Sequence, residues 1–242
     1  MDADRTLQAP DLPALEPVVL TADAGAPGTP GVAGSGDPAA REVASSGEPG
    51  TPGELELSAA AISSDGGMVA VRRLRLSECE LSAVTFAPGR APGMTLTDVV
   101  AVDCGLSNLD GREGSLRRVA LTRSQLVGFG FDGGELRDVR LTDCSLELAS
   151  LAGTRLRDVV FERVNLTEAS FMDARLEAVA FVDCRLQGTD FRGARVKACA
   201  IRGASLDGVL GVESLRGVRM PWPDVLDSAA ALAAALGITV EE

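Results

Sequence analysis

The chain of 242 residues has no histidine and no tyrosine, one tryptophan and a single lysine, Lys197. Without histidine it lacks the usual general base, the usual proton shuttle and the commonest metal ligand. With only seven phenylalanines beside the one tryptophan, it offers few aromatic platforms for stacking nucleic-acid bases, so direct nucleic-acid binding is not expected. No run approaches the roughly 20 apolar residues that span a bilayer. The N-terminal stretch MDADRTLQAPDLPALEP has neither the basic start nor the apolar run of a signal peptide, so a cytoplasmic protein without membrane contact is expected. Phosphate loops, nucleophile elbows and zinc-ligand spacings are also missing. The expectation is a protein that is not an enzyme and holds no metal or cofactor.

Acidity is plentiful but unevenly placed. The net charge of −12 divides into −9 over residues 1–70 (11 acidic, 2 basic), zero over 71–210 (19 of each) and −3 over 211–242 (5 acidic, 2 basic). Residues 23–53 are rich in Gly, Pro, Ala and Ser and carry almost nothing large and apolar. Such a segment buries too little surface to offset an ordering cost of about 1 to 2 kcal/mol per residue, and reads as a flexible linker. The apolar residues before it, among them Leu7, Leu12, Leu15 and Val18, make residues 1–22 a candidate docking peptide.

The strongest signal is a period of five. Of the 28 positions spaced five apart from Val71 to Leu206, 25 are Leu, Phe, Val or Ile; the exceptions are Ala91, Ala101 and Gly111. A second series two residues earlier, including Val84, Cys104, Val119, Cys144, Ala169 and Cys184, is mostly small or β-branched and never charged. All 38 charges between residues 71 and 210 fall on the other three positions. A helix repeats its buried face every 3.6 residues and a strand every 2, so a period of five requires a chain that turns a corner every five residues around a central axis. That is a solenoid, with coils stacked at about 4.8 Å and roughly 1.5 to 3 kcal/mol from each buried Leu or Phe. The stretches APGRAPG at 87–93 and GREGS at 111–115 set Pro and Gly where strand and core residues belong, and are expected to bulge outward as loops.

Units such as Ala169-Ser170-Phe171-Met172-Asp173, Thr189-Asp190-Phe191-Arg192-Gly193 and Ala204-Ser205-Leu206-Asp207-Gly208 resemble the A(D/N)LXX pattern of the pentapeptide-repeat proteins over about residues 69–210. The resemblance implies a right-handed quadrilateral parallel β-helix with four pentapeptides per coil and about seven coils. The repeat domain is expected over residues 54–210, followed by a C-terminal element over 211–242.

Five cysteines, Cys79, Cys104, Cys144, Cys184 and Cys199, all fall in the inward small-residue series and are expected as buried, reduced thiols. Recurring carboxylates such as Asp138, Asp143, Asp158, Glu168, Asp173 and Asp183 are expected as solvated corner residues, since a flat-sided solenoid forms no cleft for a paired acid and base.

Adding 20 predicts which residues stack. The face centred on Leu116, Leu136, Leu156, Leu176 and Val196 then gathers Arg117, Arg137, Arg155, Arg157, Arg175, Arg195 and Lys197 into a basic stripe, with Arg118 at its edge and Glu135, Asp138, Asp158 and Glu177 among them. Like charges about 4.8 Å apart repel by somewhat under 1 kcal/mol in bulk water, so the stripe is a candidate docking site for an anionic partner. Its alternative is ordinary surface, with arginines paired to the nearby carboxylates and their stems lying along apolar neighbours. The face centred on Phe131, Leu151, Phe171 and Phe191 presents Gly130, Gly133, Ser150, Ala152, Gly153, Ser170 and Gly193, small residues that another chain can approach closely. Beyond Leu210, Val225, Leu226, Leu232 and Leu236 recur at helical spacing before Gly237, so one helix is expected to cap the open end or to join two copies, with Trp222 as its anchor.

These features favour a non-catalytic interaction scaffold that binds another macromolecule through a solenoid face. The alternative, implied by the resemblance, is a DNA mimic that binds DNA gyrase or another topoisomerase and protects it from quinolones or other poisons. Mimicry of DNA needs an extended acidic surface, whereas the repeat region is neutral with one basic face.

Overall fold

The computed structural model describes residues 16–22, 30–33, 53–58, 60–64 and 67–239. A 12-stranded sheet holds the described residues together. Its strands are β1 (Glu16–Ala22), β2 (Pro30–Ala33), β3 (Gly53–Ser58), β4 (Ala60–Ser64), β5 (Val71–Ser82) and β6 (Thr95–Val102). They continue with β7 (Ser115–Thr122), β8 (Glu135–Thr142), β9 (Arg155–Glu162), β10 (Arg175–Val182), β11 (Arg195–Lys197) and β12 (Ala200–Arg202). From β5 to β11 each strand lies parallel to the next with residues 20 apart in register, as in Leu96 beside Leu116 and Leu136 beside Leu156. Residues 71–210 therefore make about seven coils of a parallel β-solenoid.

The period of five is the period of its sides. Every fifth residue from Val71 to Leu206 is buried except half-buried Val196. The residue two places later turns the corner in left-handed backbone, with φ of 53° at Asp138, 55° at Asp143, 53° at Asp158 and 65° at Gly153. Asp, Asn and Gly enter this region more readily than other residues, so Asp138, Asp143, Asp158, Glu168, Asp173 and Asp183 are all corner residues.

The two Pro/Gly-rich stretches do not bulge. Gly89–Arg90 pairs in parallel with Leu109–Asp110 at the same 20-residue offset, and Ala91 is fully buried. The space left by missing large side chains is filled from neighbouring positions. A Cβ on Gly111 would lie 2.2 Å from the Met94 sulfur, and one on Gly114 would lie 2.7 Å from the Phe131 ring. Met94 and Phe131 thus occupy volume that the period assigns to other positions. The coil-to-coil offset is shorter before this region, where Glu54 faces Arg73, Ala61 faces Glu80 and Met68 faces Thr85, and at the far end, where Ala200 faces Arg219.

The later coils are aromatic inside. Phe161 stacks on Phe181 and Phe171 on Phe191, each at 5.1 Å between ring centres, and the two stacks meet edge to face at 5.8 to 5.9 Å. The second inward series supplies hydrogen bonds as well as volume. Thr154 Oγ1 donates to the Phe131 carbonyl at 3.0 Å, and Thr189 Oγ1 donates to that of Leu166 at 2.8 Å. The Cys184 thiol faces the Phe161 and Val182 carbonyls at 3.4 Å. All five cysteines are buried and free of disulfides. Burial pushes the Cys144 and Cys184 thiols up to about 11.

At the C-terminal end the helical element is two short helices, α1 (Trp222–Asp227) and α2 (Ala229–Ala235), rather than one. Ser228 between them is fully buried, and its Oγ accepts the Leu206 N–H at 3.1 Å. Asp224 accepts the Gly203 N–H at 2.7 Å. The apolar end is covered by Val212 and Leu215 of a 3-10 turn (Val212–Leu215), with Leu232 packed against the same core. Trp222 does not anchor this element: it is 70% exposed, because the hydrogen bonds at Asp224 and Ser228 dock the helices with Trp222 on the outer side.

At the other end β1, within the candidate docking peptide 1–22, pairs in parallel with β4, from Glu16 beside Ala60 to Leu20 beside Ser64. β2, within 23–53, pairs antiparallel to β1. Apart from Gly53 at the start of β3, the rest of both segments lies outside the described residues.

Candidate functional site

Each coil passes through four faces in order, and the first of them carries the arginine stripe. The shared strand register places Arg155, Arg175 and Arg195 directly above one another, and Arg117, Arg137 and Arg157 likewise, followed by Glu177 and Lys197. The two columns differ in their surroundings. In the second, Arg117 lies 3.6 Å from Glu135, Arg137 3.6 Å from Asp138, Arg157 3.6 Å from Asp158 and Lys197 2.7 Å from Glu177. Arg155, Arg175 and Arg195 are exposed and have no ion-pair partner among the described residues. The Lys197 ammonium holds Glu177 below the usual carboxylate range.

The 20-residue offset also builds a corner ladder that inspection of single faces misses. Asp103, Arg123, Asp143, Arg163 and Asp183 occupy one corner column with alternating sign. Arg123 grips Asp103 at 2.8 and 2.9 Å, and Arg163 grips Asp143 at 2.7 and 3.0 Å. On the adjacent corner Arg118 grips Asp98 at 2.5 and 2.6 Å. These bidentate contacts hold Asp98, Asp103 and Asp143 below their ordinary range, a structural use of charge. The signal was in the sequence, as opposite charges exactly one coil apart.

The second face is mostly β-branched and half-buried. It presents half-buried Val100, Val102, Thr122, Thr142, Val160 and Val182, interrupted by the Arg140–Glu162 pair at 3.2 Å. The fourth face is the small-residue face. There Ser150 Oγ and the Ala152 N–H both donate to the Asp132 carboxylate, the latter at 3.1 Å, so part of its polarity is already satisfied within the fold. Arg112 and Arg192 close on Asp110 and Asp190 from the same coil at 2.6 Å. Among the described residues no group of three or more metal-ligating side chains comes together. No helix among the described residues is long and apolar enough to cross a membrane.

The sequence of residues 135–210 matches the family model described as pentapeptide repeat region. Residues 135–210 form a pentapeptide-repeat region. No curated protein matches the chain. Among solved structures it is similar to QnrB1, a plasmid-mediated fluoroquinolone resistance protein, at 15% identity over 76% of this chain and all of that one, with a TM-score of 0.28. It is also similar to HetL, a pentapeptide-repeat protein involved in heterocyst differentiation regulation in the cyanobacterium Nostoc, at 17% identity over 71% of this chain and 81% of that one, with a TM-score of 0.32. The pentapeptide repeat explains why the charged residues are confined to corners and outward positions. Two positions in five are committed to the core, and three remain for the surface.

Proposed function

We propose that this protein is a non-catalytic, cytoplasmic interaction scaffold whose arginine face docks an acidic strip on another protein. The observation that carries the reading is the column Arg155, Arg175, Arg195: three exposed cations in register, with no ion-pair partner among the described residues, beside a column whose cations each have one. Stacked like charges cost stability, and a rigid row of guanidinium groups at the coil spacing suits bidentate recognition of carboxylates. The test is capture from lysate with wild type and an Arg155→Glu, Arg175→Glu, Arg195→Glu variant of unchanged circular dichroism. Loss of a bound protein in the variant supports the reading, and identical captures sink it. A topoisomerase subunit among the lost proteins would point to gyrase protection; the neutral charge of residues 71–210 does not favour it.

A second reading concerns the C-terminal end, where Trp222, Leu226, Leu236 and Ile238 are 56 to 72% exposed. Exposed apolar residues on one element fit a homodimer joined through α1 and α2. Sedimentation of the full chain carrying Trp222→Ser and Leu226→Ser should then give a folded monomer, whereas an unchanged sedimentation coefficient would exclude this surface.

A further inference from the structure

We propose that the arginine column is occupied, in the absence of a partner, by residues 1–15 of the same chain, so that the acidic N-terminal segment competes with the partner for the scaffold. This rests on the docking role assigned to that column. Three observations lead to it. The first is charge: residues 1–15 carry Asp2, Asp4 and Asp11 against Arg5, opposite in sign to the face. Asp2 and Asp4 are two residues apart, so an extended chain turns both to one side.

The second is where the chain enters the fold. β1 pairs with β4 from Glu16 beside Ala60, and β4 pairs with β5 from Ala61 beside Glu80. Glu16 therefore falls in the column of Cys79, just past the corner formed by Glu78, Asp98 and Arg118. That corner separates the basic face from the β-branched face, so the chain is first described at the edge of the basic face. The third is reach. Six strand spacings separate β1 from Arg155 and eight separate it from Arg195, or about 29 and 38 Å at 4.8 Å each. Fifteen extended residues span up to about 50 Å. The other acidic segment, residues 34–52, is held at both ends by β2 and β3, so it reaches only about half its contour length, roughly 31 Å, enough for Arg155 but short of Arg195, which lies seven spacings or about 34 Å from β3.

The test is titration of a ten-residue oligoglutamate peptide, at about 20 mM salt where surface charges are weakly screened, into three full-length proteins: wild type, Asp2→Asn/Asp4→Asn/Asp11→Asn, and Arg155→Gln/Arg175→Gln/Arg195→Gln. Because an occupied site lowers apparent affinity by its free fraction, the asparagine variant should bind about three- to ten-fold more tightly than wild type, and the glutamine variant more weakly than both. Equal binding by wild type and the asparagine variant, both tighter than the glutamine variant, overturns the self-docking proposal and leaves the docking face standing. Equal binding by wild type and the glutamine variant removes the docking face itself. Carbodiimide coupling gives an independent readout, because Lys197 is the only native lysine and Arg175→Lys adds one amine within the column. The amine introduced at position 175 should couple to Asp2, Asp4 or Asp11, several-fold less at about 0.5 M salt. Coupling only to neighbouring carboxylates such as Glu177, or to Glu42 and Glu48, contradicts the proposal.

Discussion

The early and late coils of this solenoid solve the same packing problem with different side chains. Around Ala91 and Gly111 the large inward position is nearly empty, and Met94 and Phe131 reach across to fill it. Around Phe161, Phe171, Phe181 and Phe191 the same positions hold two interlocked aromatic stacks. Both regions keep the 20-residue offset. The coil is therefore specified by the volume summed across its cross-section, and no single position has to be large.

The largest effect should come from the aromatic half. Phe171→Ala empties a fully buried site among three other rings and should cost about 3 to 5 kcal/mol in denaturant unfolding. In the early half Met94→Ala should cost about 2 to 4 kcal/mol, and Gly111→Leu about 1 to 3 kcal/mol through overpacking against Met94. Their combination should recover at least about 1 kcal/mol relative to the sum, because each change makes room for the other. Strict additivity would mean that the two positions do not share a space.

Smaller effects separate the capped end from the corners. Ser228→Ala leaves the buried Leu206 N–H without its acceptor and should lower stability by about 1 to 2 kcal/mol, read as earlier hydrogen exchange of the last coil. The corner pairs should appear in pH dependence. Asp98, Asp103 and Asp143 have carboxyls held below their ordinary range, in each case chiefly by hydrogen bonds from an arginine. A depressed folded pKa contributes stability that is complete above the unfolded value of about 3.9 and is lost as pH falls through the folded value. The melting temperature should therefore be flat from neutral pH to about pH 5 and fall below about pH 4. Because these pairs are largely solvent-exposed, the fall should be shallow and shallower still at high salt.

The period of five in Leu, Phe, Val and Ile was enough to read the coil, its stacking offset and the inward thiols, because burial acts on every repeat in the same way. Counting forward by 20 also aligned Arg155, Arg175 and Arg195 correctly. Ala91 and Gly111 misled, since a rule applied position by position has no means of seeing Met94 and Phe131 fill a shared cavity from the side. Trp222 misled for the opposite reason: its size suggested an anchor, while the docking contacts came from the small polar groups of Asp224 and Ser228. The opposed charges of the Asp103 to Asp183 corner were present in the sequence but become a ladder only when read down a column.

The inside of the solenoid holds the fold, and under the proposed function the Arg155, Arg175, Arg195 column is retained for binding at a cost to stability. The most direct measurement is the melting temperature and partner capture of one preparation of the Arg155→Gln, Arg175→Gln, Arg195→Gln protein. Relief of like-charge repulsion predicts a melting temperature equal to or above that of wild type, with the partner lost. A melting temperature several degrees lower with capture unchanged would contradict the claim, and would show that the arginine stems serve as packing for the solenoid surface.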